Sequence, residues 1–430
     1  LLKGAAAAIA APYFVPASAL GRNGWKPPSE RITVGFIGIG NMGGSHLPGF
    51  LSDNQVQVVA VCDVDAVKRA NARKLTEEKY AADRQAGTYK GCDEYHEFEK
   101  ILQRKDIDAV LIAVPDHWHA TVAITACRMG KDVYCEKPLT LTIREAQEMV
   151  KAVRRYGRVL QTGSQQRSDS NFRLACELVR SGRIGKLLKV NVGVAGPSQE
   201  RYFPEQPVRE GFDWDRWLGP APWQPYNEER CSGNYGGGWR HVRDYSGGMM
   251  TDWGAHHFDI AQWGIGHDGA GAGPHEIIVH GPAPEIRSSP DEGKGLEYRY
   301  KTVWGDIPVF HGGANGILFT GTDGKIEVNR GYLRSWPDDI IAEPLGANDV
   351  RLYESPGHRQ DWLNCIRTRQ RPICDVEIGA STIITCHLGN IAYWLGRSLK
   401  WDPAKGEIIG DAEASRWLDR PKRGPWRLYL

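Results

Sequence analysis

The sequence predicts an α/β chain: a doubly wound parallel sheet followed by an α+β domain with a large, mostly antiparallel sheet. Three observations carry this reading. A β-branched run, Ile32 to Ile37, enters Gly38-x-Gly40-x-x-Gly43 with no spacer. From there to about residue 157, short apolar runs alternate with helical stretches, the order expected of parallel strands joined by crossover helices. Later runs, around Ile277 to His280, Gly295 to Val303, Gly316 to Thr320 and Lys325 to Asn329, alternate apolar and polar residues, as strands with one solvated face do.

Residues 1–21 carry Leu-Leu-Lys-Gly, an alanine-rich apolar run and Pro16-Ala17-Ser18-Ala19, a small-x-small pattern. This segment is too short and too proline-broken to span a bilayer and reads as the remnant of an export signal. Its start is similar to the tail of twin-arginine leaders, although the two arginines are absent. The expectation is an exported, periplasmic protein that folds before transfer. Residues 22–31, with two prolines, read as an extended arm.

The first domain is expected over residues 32–157. Gly38 allows the tight turn out of the first strand, Gly40 leaves room for a pyrophosphate against backbone, and Gly43 lets the next helix approach the sheet. Asn41 and Met42 lie between the last two glycines, where a helix N-terminus offers N–H groups to phosphate. A second strand, from Val56, ends at Asp63, where an acid would bond the adenosine ribose hydroxyls. The pattern is that of a Rossmann-type dinucleotide site, and Asp63 favours NAD, with NADP as the alternative. Strands Ala109 to Val114 and Asp132 to Cys135, a helix from Ile143 to Arg155 and a strand from Val159 to Thr162 complete the unit.

A second, substrate-binding domain is expected over 158–415, with a tail at 416–430. It opens with a helix from Phe172 to Ser181 and a strand from Leu187 to Val194. A long polar-aromatic loop, 195–246, precedes a helix read as continuous from Gly248 to Gly264. Helices from His358 to Thr368 and Ile378 to Leu395 close the fold.

A length of 430 residues is ample for two domains, and a net charge of +2 gives no argument for nucleic acid or an anionic membrane. The nine cysteines are scattered, with no CxxC pair, so neither a disulfide framework nor a zinc site is indicated. His241, His256 and His257 lack a fourth ligand at normal spacing, and no metal is expected. Many of the 15 tryptophans fall between Trp214 and Trp263, suited either to sugar rings or to a buried aromatic core.

Two groups of residues carry chemistry. Glu136-Lys137-Pro138 follows a parallel strand at its carboxyl end, where open α/β sheets gather ligands, and a lysine there can protonate or polarise a substrate oxygen. The proline is a candidate for a cis bond. In Asp252-Trp-Gly-Ala-His256-His257-Phe-Asp259, a continuous helix would set Asp252 and His256 at i and i+4, the carboxylate holding the imidazole tautomer and favouring its protonated form. A helix-face ion pair with a core histidine is the plain alternative. His257 is rotated away and reads as structural.

With these motifs in order, the chain resembles the glucose–fructose oxidoreductase / inositol dehydrogenase / rhizopine-catabolism (Gfo/Idh/MocA) family from Ile32 to Trp401. The residues that carry this are the glycine motif, Val114-Pro115-Asp-His-Trp-His119, Glu136-Lys137-Pro138 and Asp252-x-Gly254-x-His256-x-x-Asp259. The resemblance implies that Lys137 bonds the reacting oxygen, His256 exchanges its proton and Asp252 positions both. Pro115, His119 and Glu136 would line the nicotinamide ribose side, and Gln165 and Arg167 the substrate side. The tryptophan-rich insertion looks like the exported sugar-oxidising branch, with Tyr235, Trp239, Arg240 and Arg243 as sugar-recognition candidates, each alternatively a core or solvated residue. A homo-oligomer and a tightly bound cofactor are further implications.

The function so implied is NAD(P)-dependent oxidation of a sugar, glycoside or cyclitol hydroxyl. An NAD-dependent glycosidase working by transient oxidation is the alternative. A nucleotide-binding sensor without turnover is the non-enzymatic one.

Overall fold

The computed structural model describes residues 30–235, 237–284 and 294–426. The leader-like segment 1–21 and nearly all of the arm lie outside the described residues. Arg31, the arm's last residue, is buried and pairs with Asp83 at 3.4 Å.

The first domain comprises β1 (Ile32–Ile37), α1 (Asn41–Leu51), β2 (Val56–Cys62), α2 (Ala66–Lys79), α3 (Ala81–Gln85) and β3 (Asp93–Tyr95). It continues with α4 (Phe98–Gln103), β4 (Ala109–Ile112), α5 (Asp116–Arg128), β5 (Asp132–Cys135), α6 (Ile143–Arg155) and β6 (Leu160–Thr162). The six strands pair in parallel in the order β3-β2-β1-β4-β5-β6. Chain direction across the sheet therefore reverses between β1 and β4, opening a crevice at their carboxyl ends. Strands β2, β4 and β5 are buried along their whole length, which is why they read as continuous apolar runs. Because β6 pairs with β5, the first sheet extends past the boundary expected at 157.

The second domain begins with α7 (Ser170–Arg180) and β7 (Leu187–Gly193), then carries the short helices α8 (Trp214–Leu218) and α9 (Glu228–Cys231). After α10 (Met249–Asp252) and α11 (Gly254–Ile265) come β8 (Glu276–Val279), β9 (Leu296–Thr302), β10 (Gly305–Gly321), β11 (Lys325–Asn329) and β12 (Tyr332–Trp336). The fold closes with α12 (Asp339–Ala342), α13 (His358–Thr368), α14 (Val376–Leu395), β13 (Leu399–Asp402), β14 (Glu407–Ile408) and α15 (Ala412–Ser415). The sheet runs β12-β11-β10-β9-β8-β13-β14, with β7 also on β10, and every pair is antiparallel.

Strand β10 is far longer than the sequence pattern suggests. Its 17 residues pair with β9 at the start and β11 at the end, while β7 runs alongside through several register shifts. Gly312, Gly313 and Gly316 sit at these irregularities with positive φ, breaking the alternation that would mark a strand.

One apolar core runs through both domains, and α11 and most of α14 are buried within it. A second, smaller core lies wholly in the 195–246 segment, where Trp214 stacks on Trp217 at 5.0 Å among Phe203, Tyr226 and Tyr245. Trp214 and Trp217 thus stabilise this segment, whereas Trp263 belongs to the main core and Trp223 is exposed. The tail is no free end: Arg423 donates to the Gly219 carbonyl at 3.0 Å and Trp426 packs edge-on against Trp118, 5.4 Å between ring centres. Among the described residues no helix is long and apolar enough to cross a membrane.

Candidate active site

The crevice beside β1 and β4 is a cleft whose wall includes Gly38, Gly40, Asn41, Met42, Asp63 and Pro115 on one side. Gly38 has φ +89°, and a Cβ there would stand 2.6 Å from the Ala113 carbonyl oxygen. At Gly43 a Cβ would lie 1.9 Å from the Gly38 carbonyl oxygen, so the first turn of α1 presses directly on the glycine turn. Around Gly40 there is open space instead, with no heavy atom within 4 Å of an added Cβ. A turn closed at two glycines and open at the third, facing a helix N-terminus, is a fit for a dinucleotide pyrophosphate.

At the far end, Asp63 accepts from the backbone N–H of Ile39 at 2.6 Å and of Asp65 at 2.9 Å. Burial raises its pKa although both bonds oppose this. Its carboxylate therefore holds the glycine turn in place as well as facing the cleft.

Segment 195–246 returns from the second domain and roofs this cleft. Ala66 N–H donates to Gly211 O at 2.9 Å, Asp213 N–H to Val64 O at 3.1 Å, and Arg209 pairs with Asp65 at 2.6 Å. Asn41 donates to Gly233 O at 3.0 Å and the Tyr235 hydroxyl meets Met42 Sδ at 3.7 Å, so the segment also grips α1 beside the glycine turn. Sequence reasoning missed Arg209, Phe212 and Arg216, which line the adenosine end, because nothing local marks which residues of a long loop will fold back.

The two domains meet at Lys137. Its Nζ donates to Asp252 Oδ1 at 2.7 Å and to the Asp252 carbonyl oxygen at 3.2 Å, and both residues line the cleft. The Lys137–Pro138 bond is cis. Arg240, buried with its guanidinium 4.3 Å and 4.5 Å from the ring centres of Tyr235 and Trp239, approaches the same Asp252 oxygen at 3.8 Å. Trp239 and Arg240 thus belong to the cleft, with Tyr235 half-exposed at its rim.

Glu136 sits behind Lys137, buried, and is held by three partners. It accepts from Gln165 at 3.0 Å and from its neighbour's N–H at 3.1 Å, and meets His46 Nε2 at 2.7 Å. Burial alone would raise its pKa, but His46 and the Lys137 charge hold it below the ordinary value. Gln165 is therefore a clamp on Glu136, and His46, on α1, is a partner that no sequence motif singles out.

Several expectations differ from what is found. Asp252 and His256 do not share one helix: α10 stops at Asp252, and the His256 N–H bonds Trp253 O at 3.0 Å. The Asp252 carbonyl is left for Lys137, and the Asp252 carboxylate with it. His256 Nδ1 has no hydrogen-bond partner, and burial together with the charges of Lys137 and Arg330 holds its pKa well below 6.5, so the imidazole is neutral and not carboxylate-protonated. His256 is 3% exposed and does not line the cleft.

Arg167 is equally remote from it. Its guanidinium, 2% exposed, pairs with Asp259 and Asp268, each at 2.7 Å, and Thr382 donates to the other Asp259 oxygen at 2.9 Å. Asp259 thus anchors α11 instead of reaching a ligand. His119 is buried below the cleft, its Nδ1 2.7 Å from the Pro138 carbonyl oxygen, where it supports the Lys137–Pro138 turn. Arg243 turns towards Trp394 and Trp417 and pairs with Glu200, away from the cleft.

Residues 32–164 match the oxidoreductase family's NAD-binding Rossmann fold, and residues 171–428 match its C-terminal alpha/beta domain. The chain belongs to the Gfo/Idh/MocA oxidoreductase family. An inositol 2-dehydrogenase of Salmonella paratyphi B is 33% identical over 162 residues, 37% of this chain and 45% of the relative. A glycosyl hydrolase family 109 protein of Saccharopolyspora erythraea is 42% identical over 123 residues, 28% of this chain and 26% of the relative. The chain thus matches less than half the length of these curated relatives. The WlbA dehydrogenase from Bordetella pertussis, solved with NADH and UDP-GlcNAcA, shares the fold at 18% identity, with a TM-score of 0.55 over 86% of this chain and 98% of that one. The glycine-lined cleft is built largely on the segment that matches the NAD-binding Rossmann fold, and the Lys137–Asp252 pair stands where that segment meets the second domain.

Proposed function

We propose that this protein oxidises a secondary hydroxyl of a sugar, glycoside or cyclitol, and reduces the matching carbonyl in reverse. The observation that carries this is the Lys137–Asp252 pair at the head of a glycine-lined cleft. Bound NAD would supply the hydride acceptor. Gly38, Gly40, Asn41, Met42 and Asp63 would hold it, and Asp63 favours NAD over NADP because a ribose phosphate would meet a carboxyl there.

Lys137 donates a hydrogen bond to the substrate oxygen and stabilises negative charge as the C–H bond breaks. Asp252 keeps the amine aimed by bonding it twice. The hydroxyl proton would go to His256, held neutral by its surroundings, which requires the imidazole to move towards a cleft it does not line here. The roof formed by 195–246 would slow cofactor release.

The test is reduction of protein-bound NAD by a panel of cyclitols and sugars, followed in the near-ultraviolet. Lys137→Ala should lower the rate by about 10²-fold or more with NAD binding retained. An undiminished rate refutes the assignment. The partial likeness to a glycosyl hydrolase family 109 protein favours a second reading, glycoside cleavage by transient oxidation. Aglycone release from aryl glycosides with no net change in nicotinamide absorbance would select it.

A further inference from the structure

The cleft contains a carboxyl group with no task in the mechanism above. Asp116 opens α5 and lines the cleft beside Lys137, Asp252 and Arg240. It is 1% exposed, and apart from the nearby Ser246 hydroxyl neither of its oxygens has a hydrogen-bond partner among the described residues. A buried carboxyl so placed is costly, and native folds rarely leave one uncompensated without a use for it.

We propose that Asp116 is a substrate-binding residue that takes the hydroxyl next to the one held by Lys137, making the protein selective for vicinal diols. The inference rests on the oxidoreductase reading and narrows its substrate class. The strongest charges acting on Asp116 are Asp252, Arg240 and Lys137, which are the substrate-side groups and not those of the pyrophosphate end. Burial, with Asp252 adding to it, raises the Asp116 carboxyl to about 7 against the pull of the Ser246 hydroxyl, Arg240 and Lys137. Near neutral pH a large share is thus the uncharged acid, able both to donate and to accept. A hydroxyl has the matching capacity, whereas a second carboxylate facing Asp252 would repel it. Sites built to bond a particular hydroxyl discriminate strongly against the analogue that lacks it, because their own polar group is then left unpaired.

Wild type, Asp116→Ala and Asp116→Asn are compared in three measurements. These are NADH binding, kcat/KM for a cyclitol that reduces the bound NAD, and kcat/KM for its analogue deoxygenated at the carbon beside the reacting one. For Asp116→Ala the expected loss is about 10- to 100-fold on the full cyclitol and under about threefold on the deoxy analogue. NADH binding should stay within about twofold, and Asp116→Asn should recover part of the loss. The thermal midpoint of Asp116→Ala should be unchanged or higher, since a poorly compensated buried carboxyl has been removed. A merely structural aspartate would show the opposite, lower stability with equal losses on both substrates. Equal losses, no loss, or weakened NADH binding each overturn the inference. A wild-type protein that oxidises no sugar or cyclitol while binding NAD overturns the proposed function itself, and this inference with it.

Discussion

Lys137 Nζ bonds both the carboxylate and the main-chain carbonyl of Asp252, so a first-domain amine is fixed by two atoms of one second-domain residue. The second bond exists because α10 ends at Asp252 and the next amide turns to Trp253. A continuous helix would have consumed that carbonyl.

Asp252→Asn should therefore slow turnover without freeing the lysine, since the carbonyl bond survives. A loss of about 10- to 100-fold in kcat is expected, with NAD affinity nearly unchanged. Steady-state rates alongside NADH titration check this.

The three motif glycines should separate into two kinds. Gly43→Ala drives a Cβ to 1.9 Å from the Gly38 carbonyl oxygen, so both fold stability and NAD affinity should fall. Gly40→Ala meets nothing within 4 Å and should leave the thermal midpoint intact while weakening NAD binding, because it fills space a ligand needs. Thermal denaturation with and without NAD distinguishes the two.

Acid should destabilise the fold steeply. Burial lowers His117, His257, His311, His358 and His387 from 6.5 to about 4. Between those values the unfolded chain binds protons that the folded one refuses, so stability rises with pH through this window. It is fully present above about 6.5 and lost as pH falls towards 4, each histidine adding up to about 1.4 kcal/mol per pH unit. Asp116, Asp63, Glu145 and Asp259, whose values burial raises, act in the opposite sense, against these five histidines and His119, His256 and His267, which burial also lowers. Denaturant midpoints at pH 7, 6 and 5 measure the slope.

Removing Asp259 should be a stability lesion and only secondarily a catalytic one. Asp259→Ala leaves the buried Arg167 with Asp268 as its remaining ion-pair partner, and breaking such a pair costs about 3–5 kcal/mol. Chemical denaturation, set against turnover per folded molecule, tests the split.

The sequence announced most of the first domain, because buried parallel strands and a glycine turn leave local marks: α6 spans Ile143–Arg155 as expected, and the structure adds a Thr142–Glu145 capping box at its start. The site was legible in its parts and less so in its joints. Lys137 and Asp252 were visible as residues, but the break at Trp253 that redirects Asp252 depends on packing. Arg167 and Arg243 looked like ligand groups because a side chain's type does not disclose its partner; Asp268 and Glu200 settle them elsewhere. Asp116 lay inside a quoted motif, yet only burial with little compensation sets it apart.

The edge-on packing of Trp426 against Trp118 carries a practical corollary. Trp118 borders the cleft, and Arg423 is tied to the roof at Gly219, so the stretch around 423–426 buttresses a wall it never enters. A protease nick or a bulky fusion close to that stretch would loosen the nucleotide's chamber while cutting nothing that touches the nucleotide.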